Sequence, residues 1–130
     1  MRGSNSVNWF EIYVQDMARA RAFYEAVFDI RLEALSVPDD PESPSLEMWS
    51  FPGDMERYGA NGALCRMPGV PSGPGGTLVY FACGDCAATG ARVAAAGGRI
   101  QREKMSIGEY GFIVLAFDTE GNMIGLHSME

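Results

Sequence analysis

The feature that most limits what this chain can fold into is an internal repeat. Asp16 and Asp85 stand 69 residues apart, and each follows a short strand-like run and opens a helical one. At the same offset each helical run ends and a further strand-like run begins, near Ile30 and near Arg99. The chain therefore reads as two βαβββ modules in tandem, with little letter-by-letter identity between them. Each module leaves one sheet face covered by its helix and one bare. Two bare faces brought together by pseudo-two-fold pairing would enclose a cleft.

The alternation supplies the details. Along residues 8–14, Phe10, Ile12 and Val14 fall on one face, and Trp9, Glu11 and Tyr13 on the other. Asp16 caps a helix predicted to run to about Phe28, with Ala20, Phe23, Tyr24, Val27 and Phe28 as its apolar stripe. That stripe packs on the Phe10 face, so Trp9, Glu11 and Tyr13 point away from the helix. Further strands are expected at 30–37, 46–51 and 63–67. The run at 38–44 carries three prolines and cannot be regular structure. In the second half, strands are expected at 77–83, 99–103, 112–117 and 122–128. Asp85 caps an Ala-rich helix ended by Gly97 and Gly98, and 118–121 is a hairpin turn. The fold class is α+β, two tandem βαβββ modules forming a curved mixed sheet around a cleft. Residues 1–7 form a flexible N-terminus, 8–68 the first module, 69–76 a Gly/Pro-rich linker and 77–130 the second module, together one domain.

Composition narrows the function. Of 130 residues, 47% are apolar and 21% charged, the balance of a globular chain. The net charge of -7 argues against broad contact with nucleic acid or an anionic membrane. No apolar run is long enough to span a bilayer, the first residues do not read as a signal peptide, and three cysteines do not make a disulfide framework. A cytoplasmic protein is expected.

With the repeat in place, the sequence resembles the vicinal oxygen chelate superfamily, which includes glyoxalase I, extradiol dioxygenases and the bleomycin and fosfomycin resistance proteins. Asp16 seven residues before Phe23-Tyr24, the Asp85 helix with Gly97-Gly98, the turn Asp118-Thr119-Glu120-Gly121-Asn122 and the strand Ile124-Gly125-Leu126 carry the resemblance. It covers residues 8–129. The resemblance implies a homodimer and a small-molecule ligand. It also implies four cleft-facing positions where metal-dependent members place His, Gln or Glu. Here those positions hold Trp9, Leu64 or Cys65, Leu78 or Val79, and Gly125. Because these do not form a chelate, no metal or other cofactor is expected. That lowers glyoxalase, extradiol dioxygenase and fosfomycin-type chemistry together. A lyase, isomerase or dioxygenase-like enzyme with shifted ligands, such as Glu11 and His127, stays open, as does a non-catalytic interaction module.

Glu11 is the candidate general base or ligand acceptor, against a plain salt bridge to Arg66. His127, the one histidine, is a candidate proton shuttle or partner of Glu11, against a rim position. Trp9, Tyr13, Leu78, Tyr80 and Met123 are expected to line the cleft, with a tyrosine hydroxyl steadying any oxyanion. Met48, Trp49 and Phe51 are further candidates for that lining. The bound ligand would be aromatic or cationic. Cys83-Gly84-Asp85-Cys86 matches a redox motif in spacing but lies at an ordinary helix start.

Overall fold

The structure, a computed structural model, describes residues 7–36, 45–54, 56–75 and 77–130. The proline-rich run at 38–44 lies outside the described residues. The first module is β1 (Trp9–Tyr13), α1 (Met17–Phe28), β2 (Glu33–Ala34), β3 (Glu47–Ser50) and β4 (Asn61–Arg66). The second is β5 (Val79–Ala82), α2 (Cys86–Gly90), β6 (Arg99–Ser106), β7 (Phe112–Phe117) and β8 (Met123–Ser128). Two four-stranded sheets result, ordered β1-β4-β3-β2 and β5-β8-β7-β6. In each, the first and last strands of the module pair in parallel while the other pairs are antiparallel. The repeat seen in the sequence is thus a repeat of topology.

α1 forms where its signals lie. The Asp16 carboxylate accepts from the Arg19 N–H at 3.0 Å, and Met17, Ala20, Phe23, Tyr24 and Val27 are buried beneath the helix. The helix stops at Asp29, whose left-handed backbone (φ 54°) sends its N–H to the Glu25 carbonyl. Ile12, Val14, Leu64 and Phe51 meet this stripe from the sheet side. Phe81 of the second module packs 5.9 Å from Phe10 and 5.9 Å from Tyr24, so one aromatic core runs through both modules.

Three elements differ from expectation. α2 ends at Gly90 rather than Gly97. From there the chain continues in tight turns with i→i+3 bonds, as from Val93 N–H to the Gly90 carbonyl. Alanine propensity favours continued helix, but packing overrides it. The tightened segment buries Val93 and carries the Arg92 guanidinium to the Val27 carbonyl, 2.7 Å away at the end of α1. Gly97, with φ 101°, and Gly98, whose N–H reaches the Val93 carbonyl at 3.0 Å, close that segment as a cap, and Gly98 also allows close approach, because a Cβ there would strike the Phe23 ring and the Phe117 carbonyl. β2 is two exposed residues rather than a long strand, since Leu32 turns inward and its N–H bonds the Glu25 carboxylate. β6 extends to Ser106, with register shifts along its length.

Among the described residues, no ladder joins the two sheets. The hairpin turn between β7 and β8 joins the modules instead. Glu120 has a fully buried side chain that accepts from the Gln15 and Asp16 N–H groups at 3.0 and 2.8 Å and from Arg19 at 2.7 and 3.1 Å. It therefore caps α1 from the opposite module, where a helix N-terminus favours negative charge. Burial alone would raise the Glu120 carboxyl, but the bonds from Arg19 and the two backbone groups outweigh it and hold it at about 2. Asp118 accepts from the buried Tyr24 hydroxyl at 2.7 Å, and Asn122 donates to the Tyr13 carbonyl at 2.9 Å.

Candidate functional site

On β1, side chains two residues apart share a face, which sets Trp9, Glu11 and Tyr13 in a row. The row is internally bonded. The Trp9 indole N–H donates to one Glu11 oxygen at 3.2 Å, and the Tyr13 hydroxyl donates to the other at 2.8 Å. Glu11 is exposed, while its two aromatic neighbours are half-buried. The hydrogen bond to Glu11, followed by partial burial, pushes the Tyr13 phenol up to about 12. Its proton therefore stays on the hydroxyl at neutral pH, directed at the carboxylate. Arg66 is not the partner of Glu11; its Nε donates to the Gln15 carbonyl at 3.1 Å.

Pairing with β4 sets Ala63 beside Glu11 and Cys65 beside Tyr13 on this face, and β3 adds Met48 and Ser50. Burial, then the Glu11 charge, pushes the Cys65 thiol up to about 12. Trp49 lies on the opposite face beneath Arg21, whose guanidinium stands 3.4 Å from the ring centre, and Phe51 is in the core. Of the three candidate lining residues on that strand, Met48 alone shares the Glu11 face.

A pocket of about 240 Å³ opens at the gap between the modules, lined by Glu11, Tyr13, Thr77, Val79, Asn122 and Met123 among others. Two strand edges bound this gap. The Val14 N–H bonds Cys65 and the Cys83 N–H bonds His127, so the backbone groups of Glu11 and Tyr13, and of Leu78 and Tyr80, face away from the ladders. The linker stretch from Pro71 to Gly75 closes one side. Trp9 is outside the lining and touches it only through its bond to Glu11. Leu78 and Tyr80 stand outside the lining. Tyr80 is 48% exposed, with its ring across Gly125, where any Cβ would collide with it.

His127 is not brought to Glu11. It sits four residues beyond Met123 on β8, about 13 Å along the strand. Its Nε2 donates to the Tyr110 carbonyl at 2.6 Å, which makes Nε2 the protonated nitrogen. Cys83 and Cys86 are free thiols. Cys86 is buried in the core, and burial raises the Cys83 thiol, the reverse of an activated redox cysteine.

The sequence model of the Glyoxalase/Bleomycin resistance protein/Dioxygenase superfamily matches residues 6–126. The chain belongs to this superfamily. The protein named "Putative glyoxylase CFP32" of Mycobacterium tuberculosis (strain CDC 1551 / Oshkosh) is 32% identical over 113 residues, 87% of this chain and 40% of that protein. The chain therefore spans less than half the length of this curated relative. Glyoxalase I from Zea mays superposes with a TM-score of 0.67 at 20% identity, over 93% of this chain and 45% of that one. A glyoxalase/bleomycin resistance protein from Streptomyces sp. CB03234 superposes with a TM-score of 0.61 at 22% identity, over 95% of this chain and all of that one. These structures share the fold.

Within this superfamily's frame the four chelating positions can be assigned. Leu64 is buried in the core, which leaves Cys65 on β4, and the other positions hold Trp9, Leu78 or Val79, and Gly125, of which Val79 lines the pocket. Only Cys65 carries a donor atom, and its thiol is held protonated. At Gly125, the Tyr80 ring takes the space a ligating side chain would need. This set does not fit a divalent ion. Among the described residues, no three His, Cys, Asp or Glu side chains gather as a metal cluster.

The inter-module network of Asp118, Glu120 and Asn122, and the pocket residues Thr77 and Asn122, were missed by the sequence reading. The turn Asp-Thr-Glu-Gly-Asn signalled a hairpin, but nothing local to it says that its side chains reach α1 and β1.

Proposed function

We propose that this protein is a metal-independent, small-molecule-binding member of its superfamily, and that its ligand sits in the gap between the modules against Glu11. One observation carries the reading. Both oxygens of an exposed carboxylate are fixed by donors from its own strand, at the mouth of a pocket with apolar and neutral polar walls. The same geometry favours recognition over turnover. The Tyr13 hydroxyl and the Trp9 indole are both spent on Glu11, so neither is free to stabilise an oxyanion on a bound substrate. Asn122 is likewise committed, to the Tyr13 carbonyl, the Asp118 carboxylate and the Gly73 N–H.

A fragment screen read by backbone amide shifts tests this proposal. Hits are expected to move the signals of Glu11, Thr77 and Met123 with equal affinity before and after treatment with a chelator. Hits that cluster elsewhere, or affinity that disappears with the chelator, would overturn it.

A further inference from the structure

Resting on that reading, we propose that the pocket selects a small organic cation, a protonated amine carried on an apolar or aromatic body, and that Glu11 is the selecting residue. Where the chain pairs carboxylates with bases it does so within itself: Glu120 with Arg19, Glu25 with Arg21, Asp54 with Arg57 and Asp85 with Lys104. Glu11 is outside this set. Among the described residues, no Lys, Arg or His nitrogen lies within 4.0 Å of its oxygens, and its two partners are neutral donors. Each carboxylate oxygen accepts one bond from Trp9 or Tyr13 and retains a second lone-pair direction for a ligand.

The remaining walls fit the body of such a ligand and offer no competing charge. Ile12, Val79, Met123 and Ile124 are apolar, and Thr77 and Asn122 are neutral. A volume of about 240 Å³ suits one ring with a short aminoalkyl arm rather than a drug-sized molecule. The net charge of -7 adds a field that draws cations and repels carboxylates.

Isothermal titration with benzylamine, benzyl alcohol and sodium benzoate separates charge from shape, since the three differ in little else. Benzylamine is expected to bind about tenfold tighter than benzyl alcohol, the ratio of a charge-assisted bond to a neutral one at a half-open site, and benzoate weakest of all. In Glu11→Gln, with its melting temperature unchanged, benzylamine is expected to fall to the level of benzyl alcohol. Equal affinity for the amine and the alcohol, with both moving the amide signals of Thr77 and Met123, would overturn the cation preference and leave the pocket reading standing. A preference that survives in Glu11→Gln would overturn the role of that residue. If none of the three probes moves the pocket signals, both readings fall.

Discussion

A carboxylate on a strand face is ordinary; one held by a tryptophan and a tyrosine on its own strand is a more particular object. The row Trp9-Glu11-Tyr13 follows from period-two alternation alone, which is why its common face was legible in the sequence. That its members bond one another was not, because side-chain torsions leave no trace in spacing. The arrangement has a spectroscopic consequence. Glu11 keeps the Tyr13 phenol protonated up to about 12, so the near-ultraviolet titration of Glu11→Gln should show one tyrosine moving down toward the free value near 10. An unchanged titration would mean that the bond does not form in solution. His127 shows the limit of residue-level reading. Alternation on β8 set it on the site face with Met123 and Gly125, but four positions along a strand is too far for it to share the Glu11 pocket.

At the scale of elements, legibility followed how local the cause was. α1 has its cap, its stripe and its end within its own residues, and it appears where these signals lie. The stretch after α2 has strong helical propensity in Ala94, Ala95 and Ala96, but its course is set by Val93, Arg92 and Gly98 meeting α1 and β7, and no local signal reports that. Gly98→Ala is accordingly expected to cost about 2 kcal/mol through overpacking against Phe23, read as a lower midpoint in urea with an unchanged slope. The β7–β8 turn is the other hidden element, because its partners at Gln15, Asp16 and Arg19 are about a hundred residues away in the chain. Removing the carboxylate charge in Glu120→Gln leaves the cap of α1 weakened and Arg19 without its partner, and about 2 kcal/mol of stability should go with it. The pH dependence has a definite sign. The Glu120 pKa is depressed in the folded state, so its contribution is present above the unfolded value near 4.5 and is lost as pH falls from there through about 2. That contribution is on the order of 2 kcal/mol, since Arg19 is half-exposed and water screens the pair. Urea melts across this window should show the loss in the wild type and a flatter profile in Glu120→Gln. Parallel profiles would remove Glu120 from the account of acid stability.

The whole molecule is two topologically equal sheets with one aromatic core, held at their joint by a turn rather than by a ladder. The repeat was legible because a strand, an Asp cap and a helix recur 69 residues apart, and the superfamily because the Phe23-Tyr24 pair, the Gly97-Gly98 pair and the turn at 118–122 accompany that repeat. Tyr80 lies over Gly125, burial pushes the Cys65 thiol up, and among the described residues the Glu11 carboxylate has neutral donors and no cationic partner. Recognition through Glu11 rather than through a metal ion is what we propose for this protein. Elemental analysis of the purified protein, as isolated and after incubation with Ni, Co, Zn, Mn and Fe(II), tests it most directly. The expected result is far less than one ion per chain under every condition, with none of the residual content dependent on Glu11. One ion per chain that is lost in Glu11→Gln or His127→Ala would overturn the metal-independent reading and return metal-assisted chemistry to this site.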